Sequence, residues 1–230
     1  MNRYLGVVLV ALVLFTFSDL IFKKGGGEID MNNIEMEVAS SEKRSTAELA
    51  ENLKELGISG ISDDIIDNID KQRADVGDDE VYSVVGTMLS WVGAPDYDFD
   101  TCTMTPKNKT VYSFDMEVFD VSSMYTDFLN GVRYIGDGEL DFTNIKESEG
   151  VFGGKHVTFD WDGESCELNL KENTDWFDMD AVDQLNKVID KKGKKKRLYV
   201  TTDEYQEIIV FYRDKEWADK FEKLMQKKLY

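Results

Sequence analysis

Apolar residues run without a charge from Leu5 to Phe17, and no later stretch of the chain repeats that pattern. Those 13 residues suit the apolar core of a secretory signal. A bilayer-spanning helix needs about 20 residues. Counting on to Phe22 gives 18 residues interrupted by Ser18 and Asp19, and as a helix these reach roughly 27 Å. Asp19 then falls at an interface, where a charge is tolerated. Arg3 precedes the run, Lys23 and Lys24 follow it, and no A-x-A cleavage motif is present. Residues 1–24 are therefore read as an uncleaved signal anchor, with a cleaved signal peptide as the alternative. The three-residue head has the form of an export signal, which places the remainder on the extracytoplasmic side of a bacterial membrane, or secreted if the signal is cut.

After the anchor the pattern becomes amphipathic. Residues 25–44, opening on Gly25-Gly26-Gly27, read as a flexible linker. Ser45 and Glu48 form a capping box ahead of Leu49, Leu53 and Leu56, and Gly57 stops that helix. Ser62 caps a second helix with Ile65, Ile66 and Ile69 inward. Asp78 and Asp79 open a third, which presents Val84, Val85, Met88, Leu89 and Val92 and ends at Gly93. Residues 45–93 thus form a helical prefix.

From residue 94 to 230 the period switches between 2 and 3.6. Tyr97–Thr105 and Thr110–Phe119 read as strands joined by Pro106-Lys107-Asn108-Lys109. A helix over Ser122–Tyr134 and a strand over Glu139–Lys146 follow. Lys155–Trp161 and Glu164–Lys171 make a hairpin over Asp162-Gly163. A helix covers Asp178–Lys192, a second hairpin pairs Arg197–Thr202 with Gln206–Arg213, and a helix over Asp214–Lys228 closes the chain. The expectation is an α+β fold: a mostly antiparallel sheet built from hairpins, with helices packed on one face.

Charge changes what the domain can meet. The chain carries a formal net charge of −19. Residues 187–230 hold 13 Lys and Arg against 8 Asp and Glu, so the excess of acid lies before them. Nucleic acid is an unfavourable partner for such a body, and cations or a basic protein are favourable ones. A hydrophobic content of 42% with 12% aromatic residues supports a packed core.

Few residues suggest chemistry. Asp96, Asp98 and Asp100 alternate as ligands of a hard cation such as Ca2+ do. An EF-hand loop starting at Asp96 would need Gly and Glu where Thr101 and Lys107 stand, so the competing reading is a strand with Tyr97 and Phe99 inward and the acids in solvent. Asp160, Asp162, Glu164, Asp175, Asp178 and Asp180 have local roles as turn and cap residues. His156, the single histidine, is out of register with the apolar positions Val157 and Phe159 and reads as solvent-facing. Lys194, Lys195 and Lys196 centre a basic cluster at a helix C-terminus, where the helix dipole favours cations. Together with Trp161, Asp162 and Trp176 they make a candidate binding surface if the tryptophans are exposed; core filling is the default for those rings. Cys102 and Cys166 form one disulfide if the domain is exported.

No catalytic spacing appears, and no phosphate loop or G-x-S-x-G motif. The expected function is that of a non-enzymatic binding or interaction protein, tethered or secreted, which offers an acidic surface to a protein or cell-envelope partner. One version neutralises a basic toxin as immunity proteins do. The competing reading is an extracytoplasmic hydrolase dependent on a metal or on carboxylates.

Overall fold

Between Ile208 and Tyr212 five consecutive residues have no charged or amide side chain, and the architecture is built around them. The computed structural model describes residues 44–75, 83–101, 103–118, 120–171 and 174–230. The elements follow in the order α1 (Thr46–Glu55), α2 (Asp63–Asp75), α3 (Val84–Gly93), β1 (Asp96–Asp98), β2 (Thr103–Thr105), β3 (Tyr112–Asp115), α4 (Met124–Ile135), β4 (Thr143–Glu149), a single 3-10 turn (Val151–Gly153), β5 (Lys155–Trp161), β6 (Glu164–Leu170), α5 (Asp180–Lys191), β7 (Arg197–Thr202), β8 (Glu207–Arg213) and α6 (Lys215–Met225). The fold is α+β, and the paired strands run antiparallel.

The strands form three sheets rather than one, ordered β1-β2, β3-β8-β7 and β4-β5-β6. Helices do not keep to one face of the central sheet. Ile208, Val210 and Tyr212 of β8 join a core with α4, α5, β5 and β6, whereas Ile209 and Phe211 join a second core with α1, α3 and α6. The physical reason lies in β8 itself. A strand with apolar side chains on both faces must bury both, and here it is the wall between two cores.

The first core packs the inward stripe of α4 (Tyr125, Phe128, Leu129, Val132) against Phe114, Phe159, Trp161 and Phe177. In the second core, α3 lies close on the sheet because small residues face it. A Cβ on Gly86 would stand 2.6 Å from the Asp203 Cα, and one on Gly93 would stand 2.9 Å from the Ser113 nitrogen. Between them the Ser113 hydroxyl donates to the Ser90 carbonyl at 2.7 Å.

Two helix caps follow the sequence closely. Ser45 caps α1 by accepting the Glu48 N–H, and Asp214 caps α6 by accepting the Trp217 N–H. Arg44 reaches the far end of α6: its guanidinium donates to the carbonyls of Leu224 (2.6 Å) and Met225 (2.8 Å), which the helix itself leaves without partners.

Residues 97–119 depart from expectation. The predicted strand over Tyr97–Thr105 is itself a hairpin, because the Asp98 carboxylate accepts the N–H groups of Asp100 (2.8 Å) and Thr101 (3.2 Å) and turns the chain. Strand β3 does not pair back across Pro106–Lys109 but pairs with β8, far along the chain. Asn108 in that connection is buried. Its amide donates to the Ser59 carbonyl and accepts from Thr110, which ties the segment to the loop after α1.

Helix α5 closes two sheet edges with side-chain amides. The Asn186 Nδ2 donates to the Leu198 carbonyl at 3.0 Å, and its Oδ1 accepts the Leu198 N–H at 2.8 Å, so the amide stands in for a strand beside β7. Gln184 does the same for Asn169 of β6, with both bonds at 2.8 Å. Further along β7, Val200 exchanges both backbone bonds with the C-terminal Tyr230.

No helix among the described residues is long and apolar enough to cross a membrane. The expected anchor, nearly all of the linker and the predicted start of the third helix at Asp78-Asp79 lie outside the described residues.

Candidate functional site

The aspartates suggested as cation ligands stay apart in role. Asp96 pairs with Lys107 at 2.8 Å, Asp98 is held in its own turn, and Asp100 is exposed. Among the described residues, no three of His, Cys, Asp and Glu stand where they could hold a metal ion. Tyr97 and Phe99 are not inward: they are 39% and 85% exposed and meet edge to face at 4.8 Å. A two-stranded hairpin has no interior into which they could turn.

The basic cluster is matched by acids of this chain. Lys192 pairs with Glu164 at 2.8 Å, Lys194 lies 3.8 Å from Asp162, and Lys196 pairs with Glu139. Exposed pairs of this kind contribute little stability, but they hold Lys192 and Lys194 at the tip of the β5–β6 hairpin and Lys196 against the segment between α4 and β4. Lys195 is exposed. Trp161 lies beneath, only 1% exposed, with Lys192 and Lys194 over its ring at 5.9 and 5.3 Å. Its ring fills the core and meets Phe142 in a T-shaped contact. Trp176 is partly buried against the same core, and Asp162 is exposed in its turn. The lysines and Asp162 thus share one end of the molecule with a buried tryptophan, not an exposed one.

Cys166 is a half-buried free thiol on β6 whose pKa is raised, first by burial. Cys102, its expected partner, lies outside the described residues. His156 stands on the outer face of β5, 3.2 Å from Glu167.

A second charged surface, not singled out by the sequence pattern, forms where β3, β8 and the β7–β8 turn meet. Asp115 and Glu207 are direct cross-strand partners, and like charges in that position repel. The turn adds Asp203, whose carboxylate accepts the N–H groups of Tyr205 (2.9 Å) and Glu207 (3.1 Å). Glu117 accepts a hydrogen bond from Gln206 at 3.1 Å, and its backbone forms an isolated antiparallel bridge with Trp176, whose side chain packs against the first core. Tyr205 is exposed at the tip.

The electrostatics of this face are strained. Burial raises the Glu207 pKa from 4.5 to about 7, reinforced by the charges of Asp203 and Asp115 and opposed by a hydrogen bond with Ser90. Asp203 and Asp115 are also raised, mainly by burial. Among the described residues, Lys227 is the only cation acting on the three, and it acts on Asp203 while paired with Glu204.

A measurable pH dependence follows. The folded protein holds a proton on Glu207 where the unfolded chain has lost it, so stability falls as pH rises from about 4.5 to about 7. Discounted for partial exposure, the loss is about 1–2 kcal/mol. Urea denaturation of Glu207→Gln should show a shallower fall over that window and greater stability than wild type at the upper end. An unchanged pH profile would contradict the assignment.

Sequence reasoning missed Asp115, Asp203 and Glu207. The only available signal was an acidic hairpin turn at Asp203-Glu204, because the meeting of Asp115 with Glu207 depends on a pairing between strands far apart in the chain. No protein-family model, no curated protein and no solved structure matches this chain.

Proposed function

We propose that this is a non-enzymatic binding protein, held outside the cytoplasm by its N-terminal apolar segment, that presents the acidic face of β3, β8 and the β7–β8 turn to a basic protein partner. The crowding of Asp115, Asp203 and Glu207 carries this reading. Burial raises the proton affinity of all three, the charges of Asp203 and Asp115 add to it at Glu207, and a cationic partner would offset both the desolvation and that repulsion. Asp98, Asp120 and Asp178 accept backbone N–H groups two residues on, as Asp115 and Asp203 also do, and Asp214 caps α6. What distinguishes the face is that Asp115 stands directly across the strand pair from the half-buried Glu207.

Binding of a cationic group displaces the Glu207 proton, so affinity should rise from about pH 6 to about pH 8 and fall with salt. The test is capture of a basic partner from the source cell by the immobilised full chain, repeated with Glu207→Lys and Asp115→Lys. Loss of capture in both, with capture retained in Lys195→Glu, supports the acidic face. Capture unaffected by charge reversal at Glu207 and Asp115 refutes it.

A further inference from the structure

We propose that the lysine-bearing end of α6 is the docking site of the acidic segment 28–42 of the same chain. This stands independently of the acidic-face reading.

The lysines of the two basic regions are treated differently by the fold. Lys192, Lys194 and Lys196 are matched by Glu164, Asp162 and Glu139. Lys220, Lys223 and Lys228 are exposed, and among the described residues none of the three has an ion pair. Acids close to them in sequence are engaged elsewhere: Asp219 pairs with Lys215 at 2.7 Å, and Glu222 accepts the Leu229 N–H at 2.8 Å. Lys227 pairs with Glu204, and Lys228 lies over the Tyr230 ring at 4.8 Å. Lys220 and Lys223 are spaced to share one side of α6. A helix C-terminus favours cations, but Arg44 already binds the Leu224 and Met225 carbonyls, so the lysines are not needed as caps.

The chain enters the body at the same place. Arg44 is fixed there twice, by its guanidinium on α6 and by its own carbonyl, which accepts from Arg73 of α2 at 3.2 Å. The residues before Arg44 therefore start from the end of α6 that carries the lysines. Their charge is complementary: residues 28–42 include Glu28, Asp30, Glu35, Glu37 and Glu42 and no Lys or Arg. Reach is no obstacle. The stretch from Glu37 to Arg44 spans up to about 25 Å when extended, whereas Lys220 lies roughly 7.5 Å from Met225 along the helix. Ile34, Met36 and Val38 alternate with Glu35 and Glu37, and the half-buried Leu224 gives them an apolar contact beside Lys223.

One exposed ion pair contributes little. The covalent link decides the balance, because a short connection holds the acids near the lysines at an effective concentration in the millimolar range. An outside anion or a second copy must reach that concentration to compete. Docking would also keep the body next to its leader, where residues 25–44 fully extended would let it stand about 65 Å away.

Zero-length carbodiimide coupling tests this, since it joins a carboxylate to an amine only where the two touch. The full-length chain in neutral detergent is mixed in equal parts with heavy-isotope-labelled chain. Peptides from residues 28–42 should couple to Lys220, Lys223 or Lys228 about tenfold more than to the exposed Lys195, and each product should carry a single isotope, as contact within one molecule requires. Coupling at Lys228 should fall in Lys220→Glu/Lys223→Glu, and all of it should fall at about 0.5 M salt. Equal coupling to Lys195 and the α6 lysines would overturn the proposal. Mixed-isotope products would overturn it in favour of a second copy. Coupling kept in phosphatidylcholine vesicles but lost when phosphatidylglycerol is included would overturn it in favour of anionic lipid.

Discussion

Replacing Lys155 by methionine is expected to lower stability by about 3 kcal/mol or more, the largest single loss predicted for this chain. The Lys155 Nζ donates to the Val121 carbonyl at 2.6 Å and pairs with Glu147 at 3.5 Å, and the Glu147 side chain is only 4% exposed. The other Glu147 oxygen accepts the Thr126 N–H at 2.6 Å and so serves the first turn of α4 from outside that helix. Removing the lysine leaves a carboxylate desolvated beside the Val121 carbonyl. Methionine keeps the volume of the stem, so the loss reports the charge rather than a cavity. Urea denaturation should give a lower midpoint with an unchanged slope. Adding Glu147→Gln should recover part of the loss, since the amide still accepts from Thr126 but carries no charge. A single-variant loss under about 0.5 kcal/mol, within the range of ordinary surface substitutions, would show that solvent reaches this pair.

Asn186→Leu comes next, with an expected loss of about 3 kcal/mol. The side chain is 4% exposed, and leucine would bury the Leu198 N–H and carbonyl without partners. Gln184→Leu provides the comparison. It breaks the same pair of bonds on β6, but Asn169 is exposed and water can replace the amide, so a loss of about 0.5–1 kcal/mol is expected. The variants differ in one respect, whether the freed backbone groups are wet. Equal losses measured by chemical denaturation would remove burial as the cause. Asn186→Leu should also raise the tendency to aggregate, because it uncovers an edge of the central sheet.

Amphipathic helices and caps were readable from local pattern. The positions Tyr125, Phe128, Leu129 and Val132 of α4, and Ala181, Val182, Leu185 and Ile189 of α5, are buried as their spacing requires. Ser45 and Asp214 cap the helices they precede, and Asp162-Gly163 turns the β5–β6 hairpin. These signals involve residues a few positions apart. What escaped the sequence depends on distant partners. Strand β3 chose β8 over the neighbouring segment because Tyr112 and Phe114 complete the core already lined by Ile208, Val210 and Tyr212. The close seat of α3 rests on Gly86 and Gly93, which a hydrophobicity pattern counts as gaps. Trp161 and the lysines beside it were legible as neighbours, but which side of the ring faced water was not. The acidic face required three segments to converge, and no local rule assembles it.

The grip of Arg44 on the last carbonyls of α6 has a mechanical consequence. Load on the backbone at Arg44 passes directly into α1, and the guanidinium adds a second, side-chain attachment to the last turn of α6, close in sequence to Tyr230 on β7. An Arg44 substitution would therefore loosen the closing helix at its C-terminal end while leaving the covalent entry into α1 unchanged.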